Sequence, residues 1–324
     1  MDDALEQVAL FAGLNAVALA DLRGIARPFA IARGETLFRQ GDPPTGLFVV
    51  ERGLLEIATR MPGDEAAYVS RIAPGEVVGE FAMLDDGPRS ATVTAVEDSA
   101  GLLVPAPSFA AMLLEGRACA VAAVDRLRGL VASRTRATLE RLARTSLAEP
   151  WELRTAATPY AAEPATLEFE TFRALGAFAT LSDGEGAELL AAGTCLAAAR
   201  GSSLVSAGEA PEHALLVLRG AVRAAFARGD RHEQVTIHGP GEWAGLVATI
   251  DSREHPLALS AAEESLLFRV PAQTFACWRS EPGLVSQAVL GAVDRQLVRD
   301  QRRANRHLGR AIALERFNGS ARAA

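Results

Sequence analysis

A set of short motifs in the first half of this chain returns, in the same order and at near-constant spacing, in the second half. Leu10-Phe11-Ala12-Gly13-Leu14 comes back as Ala177-Phe178-Ala179-Thr180-Leu181, and Arg33-Gly34 as Arg200-Gly201. Phe48-Val49-Val50-Glu51-Arg52-Gly53 comes back as Leu215-Leu216-Val217-Leu218-Arg219-Gly220. Ala73-Pro74-Gly75-Glu76 comes back as Gly239-Pro240-Gly241-Glu242, and Phe109 as Phe275, the offset slipping by one residue on the way. A long internal repeat of this kind means two copies of one domain. With 324 residues, 49% of them hydrophobic, the chain has room for two sizeable cores.

The texture of one copy indicates its class. Leu5, Val8, Leu14, Leu19 and Leu22 fall at helical spacing within Asp3–Ile25, interrupted near Gly13-Leu14-Asn15. From Phe29 the chain breaks into strand-sized apolar runs: Thr36–Arg39, Leu47–Glu51, Leu54–Thr59, Tyr68–Ile72, Thr92–Ala95 and Ala100–Val104. Turn chemistry separates them at Arg33-Gly34-Glu35, Gly41-Asp42-Pro43-Pro44 and Met61-Pro62-Gly63-Asp64. Many short strands at close, even spacing predict an antiparallel roll or sandwich. Between Ser108 and Ala148 the pattern turns helical, first through Phe109, Met112 and Leu113, then after Gly116 from Val121 to Leu142. Glu149–Pro164 has no period and reads as a linker, in which Trp151 and Tyr160 are expected to pack on a neighbouring surface. The expected domains are therefore 1–148 and 165–324, joined by 149–164.

Between two of those strands lies Val78–Val93, VGEFAMLDDGPRSATV, where the chemistry concentrates. Gly79 permits close backbone approach, and Phe81-Ala82-Met83-Leu84 is long enough for one helical turn, whose first N–H groups would point at an anion. Arg89 can add a two-pronged grip on phosphate oxygens. A carboxylate beside a phosphate is repulsive, so Glu80 needs a hydrogen-bond donor such as a sugar hydroxyl. One phosphate and one free ribose hydroxyl held together describe a cyclic nucleotide.

The ordered set Gly79, Glu80, Phe81, Ala82, Arg89, Ser90, Ala91, Thr92 and Val93 resembles the phosphate-binding cassette of cyclic-nucleotide-binding domains, as in protein kinase A regulatory subunits and the bacterial catabolite activator protein. The resemblance implies an α+β fold of two tandem antiparallel β-roll (jelly-roll-like) domains with flanking helices. It implies phosphate and ribose contacts from Gly79, Glu80, Phe81, Ala82, Arg89, Ser90 and Ala91. In relatives the helix corresponding to Val121–Leu142 lies over the base, which would put Ser133, Arg134, Thr135 and Thr138 at base contacts. Each of these also reads as a solvated helix position. Ser90 does not separate cyclic AMP from cyclic GMP; cyclic AMP is the preferred ligand and cyclic GMP the second choice.

The second copy departs from the pattern where charge is needed. Gly79 maps to Gly245, but Glu80 maps to Leu246, Arg89 to His255 and Ser90 to Pro256. An acceptor has become apolar, a fixed cation has become a weak one, and a proline has removed a backbone donor. The second copy reads as a degenerate domain kept for packing, dimerisation or partner contact, with binding of an unrelated ligand as the other reading.

The remaining sequence excludes more than it adds. Net charge is −7 with no lysine, which disfavours broad nucleic-acid affinity. Arg299, Arg302, Arg303, Arg306 and Arg310 crowd the helical stretch Leu284–Phe317, read as a solvated face or a site for an acidic partner. A DNA-binding regulator using that basic helix is the alternative function, disfavoured because too few residues follow to build a winged helix-turn-helix. Cys119, Cys195 and Cys277 are widely spaced and read as buried, reduced thiols of a cytoplasmic protein. No apolar run spans a membrane, and the acidic start lacks a signal-peptide n-region. His213, His232, His238, His255 and His307 lack metal-site spacing, and no P-loop, serine elbow or kinase signature occurs. Asp85-Asp86 reads as a surface turn. The expectation is a receptor, not an enzyme, without metal or cofactor, acting on a protein partner or through a homodimer.

Overall fold

In the computed structural model, residues 5, 8–60, 66–145, 151–152, 163–164, 168–228, 231–281 and 283–323 are described. They form two compact units, Met1–Arg128 and Gly129–Ala324.

The first unit opens with a 3₁₀ turn, Ala9–Phe11, and helix α1, Ala16–Ile25. The Asn15 side chain caps α1 by accepting from the Ala18 N–H at 2.9 Å, which explains the break before it. Eight strands follow: β1 (Arg27–Ile31), β2 (Thr36–Phe38), β3 (Gly46–Arg52), β4 (Leu55–Arg60), β5 (Ala66–Ile72), β6 (Val77–Val78), β7 (Thr92–Ala95) and β8 (Ser99–Pro105). They pair antiparallel in two sheets, β1-β8-β3-β6 and β2-β7-β4-β5. Phe48, Val50, Leu55, Ile72, Val78, Val93 and Ala95 fill the space between them. Each large side chain buried there is worth about 1.5–3 kcal/mol. Helices α2 (Ala106–Leu114) and α3 (Ala118–Thr145) follow, separated at Gly116. Every strand expected from the sequence in this copy is present, and the Met61–Asp64 turn lies outside the described residues.

The second unit begins inside α3. Leu139 and Leu142 join Val217, Val222, Leu259 and Leu267 in its core. The C-terminal part of α3 therefore groups with the second copy, whereas the sequence boundary put the whole helix in the first. The apolar stripe of α3 is continuous, and periodicity cannot tell which roll buries it. Two pieces of the expected linker are strands, β9 (Trp151–Glu152) and β10 (Glu163–Pro164). Backbone pairing joins Trp151 to His232 and Glu163 to Ala197; Tyr160 lies outside the described residues.

After α4 (Glu170–Arg173) and α5 (Asp183–Ala191) come β11 (Thr194–Ala198), β12 (Ser203–Val205), β13 (His213–Arg219), β14 (Val222–Arg228), β15 (Arg231–His238) and β16 (Trp243–Ala244). Helix α6 (Leu246–Asp251), β17 (Ala258–Ala261), β18 (Ser265–Pro271), α7 (Ala272–Ser280) and α8 (Leu284–Ala323) complete the chain. The sheets run β10-β11-β18-β13-β16 and β12-β17-β14-β15-β9. The repeat extends to single hydrogen bonds. Gly34 N–H donates to Ala95 O and Gly201 N–H to Ala261 O, both at 2.8 Å. The irregularity between Val50 and Arg52 recurs between Val217 and Arg219. Both units are antiparallel β-rolls with flanking helices.

One thiol departs from expectation: Cys119 and Cys195 are buried, but Cys277 is exposed. It sits on α7 between the buried Phe275 and Trp278, at a position that faces outward. Burial pushes the Cys119 and Cys195 thiols up.

Candidate functional site

The first unit's cassette folds as its residue types dictate. Gly79 adopts φ 86°, ψ 19°, and a Cβ there would lie 2.4 Å from Arg89 Nη1. Only glycine tolerates both the left-handed backbone and that approach. Glu80–Met83 then forms the expected single turn, as a 3₁₀ helix closed by Ala82 N–H to Gly79 O at 3.1 Å. Gly79, Glu80, Phe81, Ala82, Arg89, Ser90 and Ala91 all line one cleft of about 410 Å³, mouth included. The structure thus brings every expected phosphate and ribose residue to a single wall.

Arg89 is the centre of this site and only 6% exposed. Its backbone is pinned to the preceding turn: Arg89 N–H donates to Asp42 O, and Gly41 N–H to Arg89 O, both at 2.9 Å. Nη1 donates to Gly79 O at 3.1 Å, and Nη2 to Gly46 O and Thr45 Oγ1, both at 2.9 Å. The guanidinium lies 4.1 Å from the centre of the Phe38 ring. Nε is buried with no hydrogen-bond partner among the described residues. Burial lowers the Arg89 pKa to about 10, against the opposing fields of Glu80 and Asp42. A cation so desolvated, with one donor unmet, is poised for an anion. Glu80 is also buried, at 7% exposed.

Sequence reasoning missed Phe38, Asp42 and Thr45. Asp42 and Thr45 sit in or beside a turn read only as a turn, and Phe38 was one apolar residue of a strand. Asp85 accepts from the Gly87 N–H at 3.1 Å, the local geometry expected of a turn aspartate.

The four candidate base contacts belong to the second unit, and Ser133 among them is exposed. Thr135 is 2% exposed, which removes the reading of it as a solvated position. Its hydroxyl is shared between Val131 O at 2.8 Å and Gln301 Oε1 at 2.6 Å. The Thr138 hydroxyl donates to Arg134 O at 2.9 Å and accepts from Gln301 Nε2 at 3.3 Å. Arg134 is half-buried.

The second cassette keeps the scaffold of the first without its charges. Gly245 repeats the left-handed conformation at φ 85°, ψ 8°. His255 stands where Arg89 does, with its N–H on Glu209 O at 2.8 Å and its carbonyl accepting from Gly208 at 2.9 Å. Burial pushes the His255 imidazole below its ordinary value, so it is neutral at pH 7. Leu246 is 3% exposed where the first copy has its carboxylate.

The arginines of α8 are not simply a solvated face. Arg303 and Arg299 reach Glu242 at 3.2 and 3.7 Å within the second unit. Among the described residues, no group of three or more His, Cys, Asp or Glu is arranged to hold a metal ion. No single described helix is long and apolar enough to cross a membrane.

The model of the cyclic nucleotide-binding domain family matches residues 28–115 and again residues 196–277, over half of the chain. The chain belongs to this family. Its two cyclic nucleotide-binding domains coincide with the two rolls. One relative is the CRP-like cAMP-activated global transcriptional regulator of Mycobacterium tuberculosis, 29% identical over 98 residues, which cover 30% of this chain and 44% of the relative. Another is the acetyltransferase Pat of Mycolicibacterium smegmatis, 34% identical over 109 residues, covering 34% of this chain and 32% of that one. The matches span less than half the length of either relative. Among solved structures, the regulatory domain of Toxoplasma gondii PKA with cAMP aligns over 84% of this chain and 88% of its own, at 19% identity and a TM-score of 0.33.

Proposed function

We propose that this chain is a regulatory protein that binds one cyclic nucleotide, in the cassette of its first domain, and transmits that event without catalysing a reaction. The observation that carries the reading is Arg89: a buried guanidinium with an unmatched Nε–H, lining the same cleft as a buried Glu80. The cation takes the phosphate, and the carboxylate takes the ribose hydroxyl. Phosphate oxygens offer Arg89 stronger, charge-assisted partners than the carbonyls it now holds. Ser90 and Ala91 complete the wall beside the phosphate. Cyclic AMP is the preferred ligand, ahead of cyclic GMP.

The signal passes through the helices after the roll, to a protein partner or between copies in a homodimer, in the cytoplasm. Arg134, Thr135 and Thr138 are the proposed base contacts. For Thr135 and Thr138 to serve, their bonds with Gln301 must be given up. The DNA-binding alternative is weakened by the pairing of Arg299 and Arg303 with Glu242, which spends part of the α8 charge internally.

Titration calorimetry with cyclic AMP and cyclic GMP tests the proposal on the wild type and Arg89→Ala. One ligand per chain, lost in the variant, is the expected result. Two per chain, or binding unchanged in the variant, overturns it. A gel shift on genomic fragments, with and without nucleotide, tests the DNA reading.

A further inference from the structure

The second unit has lost its charge clamp but has kept a cavity. About 600 Å³ of space, mouth included, lies inside it. That figure exceeds the first unit's cleft on the same measure, about 410 Å³. Leu139, Val235, Leu246, Leu257 and Leu259 supply apolar wall. Ala224, Ala248 and Ala304 also line it, all nearly inaccessible to solvent. A domain retained only for packing would close such a space with larger side chains, because interiors are packed close to crystal density. Three alanines around an open cavity leave the room unfilled.

One end of this apolar chamber is polar, and its hydrogen bonds can be assigned. Gln296 is fully buried. Its Oε1 accepts from the Trp243 N–H at 2.6 Å, which fixes the orientation of the amide. Gln296 Nε2 therefore donates: one hydrogen goes to Trp243 O at 2.7 Å, and the other faces both Asp300 Oδ2 at 3.2 Å and His238 Nδ1 at 3.3 Å. The His238 ring is 7% exposed and neutral: burial lowers its pKa more than Asp300 and Glu242 raise it, with Arg303 adding to the lowering. With Nδ1 facing the Gln296 N–H, the neutral ring that suits it is the one with its proton on Nε2. His238 lines the cavity, and its contacts with Gln296 and Glu242 are both made through Nδ1. The cavity thus offers largely apolar walls with His238, Trp243, Asp300 and Arg303 among its polar lining residues; Trp243 Nε1–H is a second buried donor without a hydrogen-bond partner among the described residues.

We propose that this cavity in the second unit binds a small, uncharged, largely apolar molecule carrying one hydrogen-bond acceptor, such as an aryl ketone, whose oxygen is held by His238 Nε2–H. The site is distinct from the first unit's cassette and takes a different chemical class. Leu246 and neutral His255 replace the carboxylate and cation of the first cassette, and Arg303, which also lines the cavity, is already paired with Glu242 and Asp300; the apolar walls penalise a further charge.

The probe is 4-fluoroacetophenone, followed by fluorine NMR on the full chain, with 4-fluorotoluene and 4-fluorobenzoate as comparators. Saturable binding of the ketone at one site per chain is expected, with the toluene about tenfold weaker for want of the acceptor. The benzoate should not bind. Ala304→Met fills the cavity and should abolish ketone binding. His238→Phe keeps the ring and removes the donor, and should bring the ketone down to the affinity of the toluene. Ala224→Leu fills from the opposite wall, so the proposal stays testable if one variant fails to fold. Arg89→Ala should leave ketone binding intact, which separates this test from that of the nucleotide reading. No saturable binding, equal affinity for ketone and toluene, binding that survives both filled variants, or competition by cyclic AMP each overturns the proposal.

Discussion

Arg136 and Asp251 close a two-pronged ion pair inside the second unit, with Nε donating to Oδ2 at 2.5 Å and Nη2 to Oδ1 at 2.8 Å. Nη1 adds a bond to Glu254 O at 2.9 Å, so the C-terminal part of α3 is tied to the loop after α6. The two side chains are 6% and 8% exposed, so removing one partner strands the other without water. Arg136→Ala should cost the second unit about 3–5 kcal/mol. Urea unfolding followed by tryptophan fluorescence measures this directly, because Trp151, Trp243 and Trp278 all lie in that unit. The double variant Arg136→Met/Asp251→Leu should lose less than either single one. A loss below ~1 kcal/mol for Arg136→Ala would place the pair among solvated ones.

Charge alone does not account for Arg89. Its flat guanidinium covers the Phe38 ring at 4.1 Å while donating to two carbonyls and a hydroxyl. Lysine keeps the positive charge but has neither the fork nor the planar face. Arg89→Lys should therefore weaken nucleotide binding about 30-fold, roughly 2 kcal/mol. Phe38→Leu should weaken it severalfold, within the about 0.5–2 kcal/mol of a cation–π contact. Calorimetry on both variants decides the matter, and wild-type affinity in Arg89→Lys would reduce the residue to a point charge.

The two rolls were legible in the sequence because turn residues punctuate the strands and the motifs return in order. The cassette was legible because a glycine, an acid and an arginine at that spacing have few other uses. Phe38 and Thr45 were not, since they reach Arg89 only through strand pairing and turn geometry remote in sequence. The assignment of Thr135 was hidden for a related reason: its partner Gln301 lies 166 residues away. The cavity at His238 was the least visible. What marks it out is space left by alanines and a polar end where Gln296 meets His238, neither of which periodicity or spacing encodes.

The paired glycines allow the two cassettes to be separated experimentally. Gly79 and Gly245 share a left-handed backbone, so alanine at either position costs about 1–3 kcal/mol in strain. At Gly79 the new methyl also meets the Arg89 guanidinium at 2.4 Å, whereas at Gly245 it meets His255 Cε1 at 2.8 Å. Gly79→Ala should lose nucleotide binding. Gly245→Ala should bind nucleotide as the wild type does while its second unit melts earlier. Thermal unfolding with and without cyclic AMP, read by tryptophan fluorescence alongside calorimetry, checks both. Loss of nucleotide binding in Gly245→Ala would mean that the second cassette contributes to it.

Histidine chemistry is confined to the second unit, where all five histidines lie. Burial is the largest influence on His255 and lowers its pKa from 6.5; Arg136 adds to the effect, while Glu209 and Asp251 oppose it. As pH falls, the unfolded chain takes up this proton before the folded one does. The stability owed to a neutral His255 is therefore complete above about pH 6.5 and drains away below it, by at most about 1.4 kcal/mol per pH unit. His238 is shifted in the same direction, whereas Asp300, raised by burial, gains its proton earlier in the folded state and offsets part of the loss. Melting of the second unit, followed by tryptophan fluorescence at about pH 7.5, 6.5 and 5.5, should move to lower temperature only over the last interval. His255→Gln should flatten that fall. A slope unchanged by the substitution would assign the acid sensitivity to other groups, with His238 the first to test.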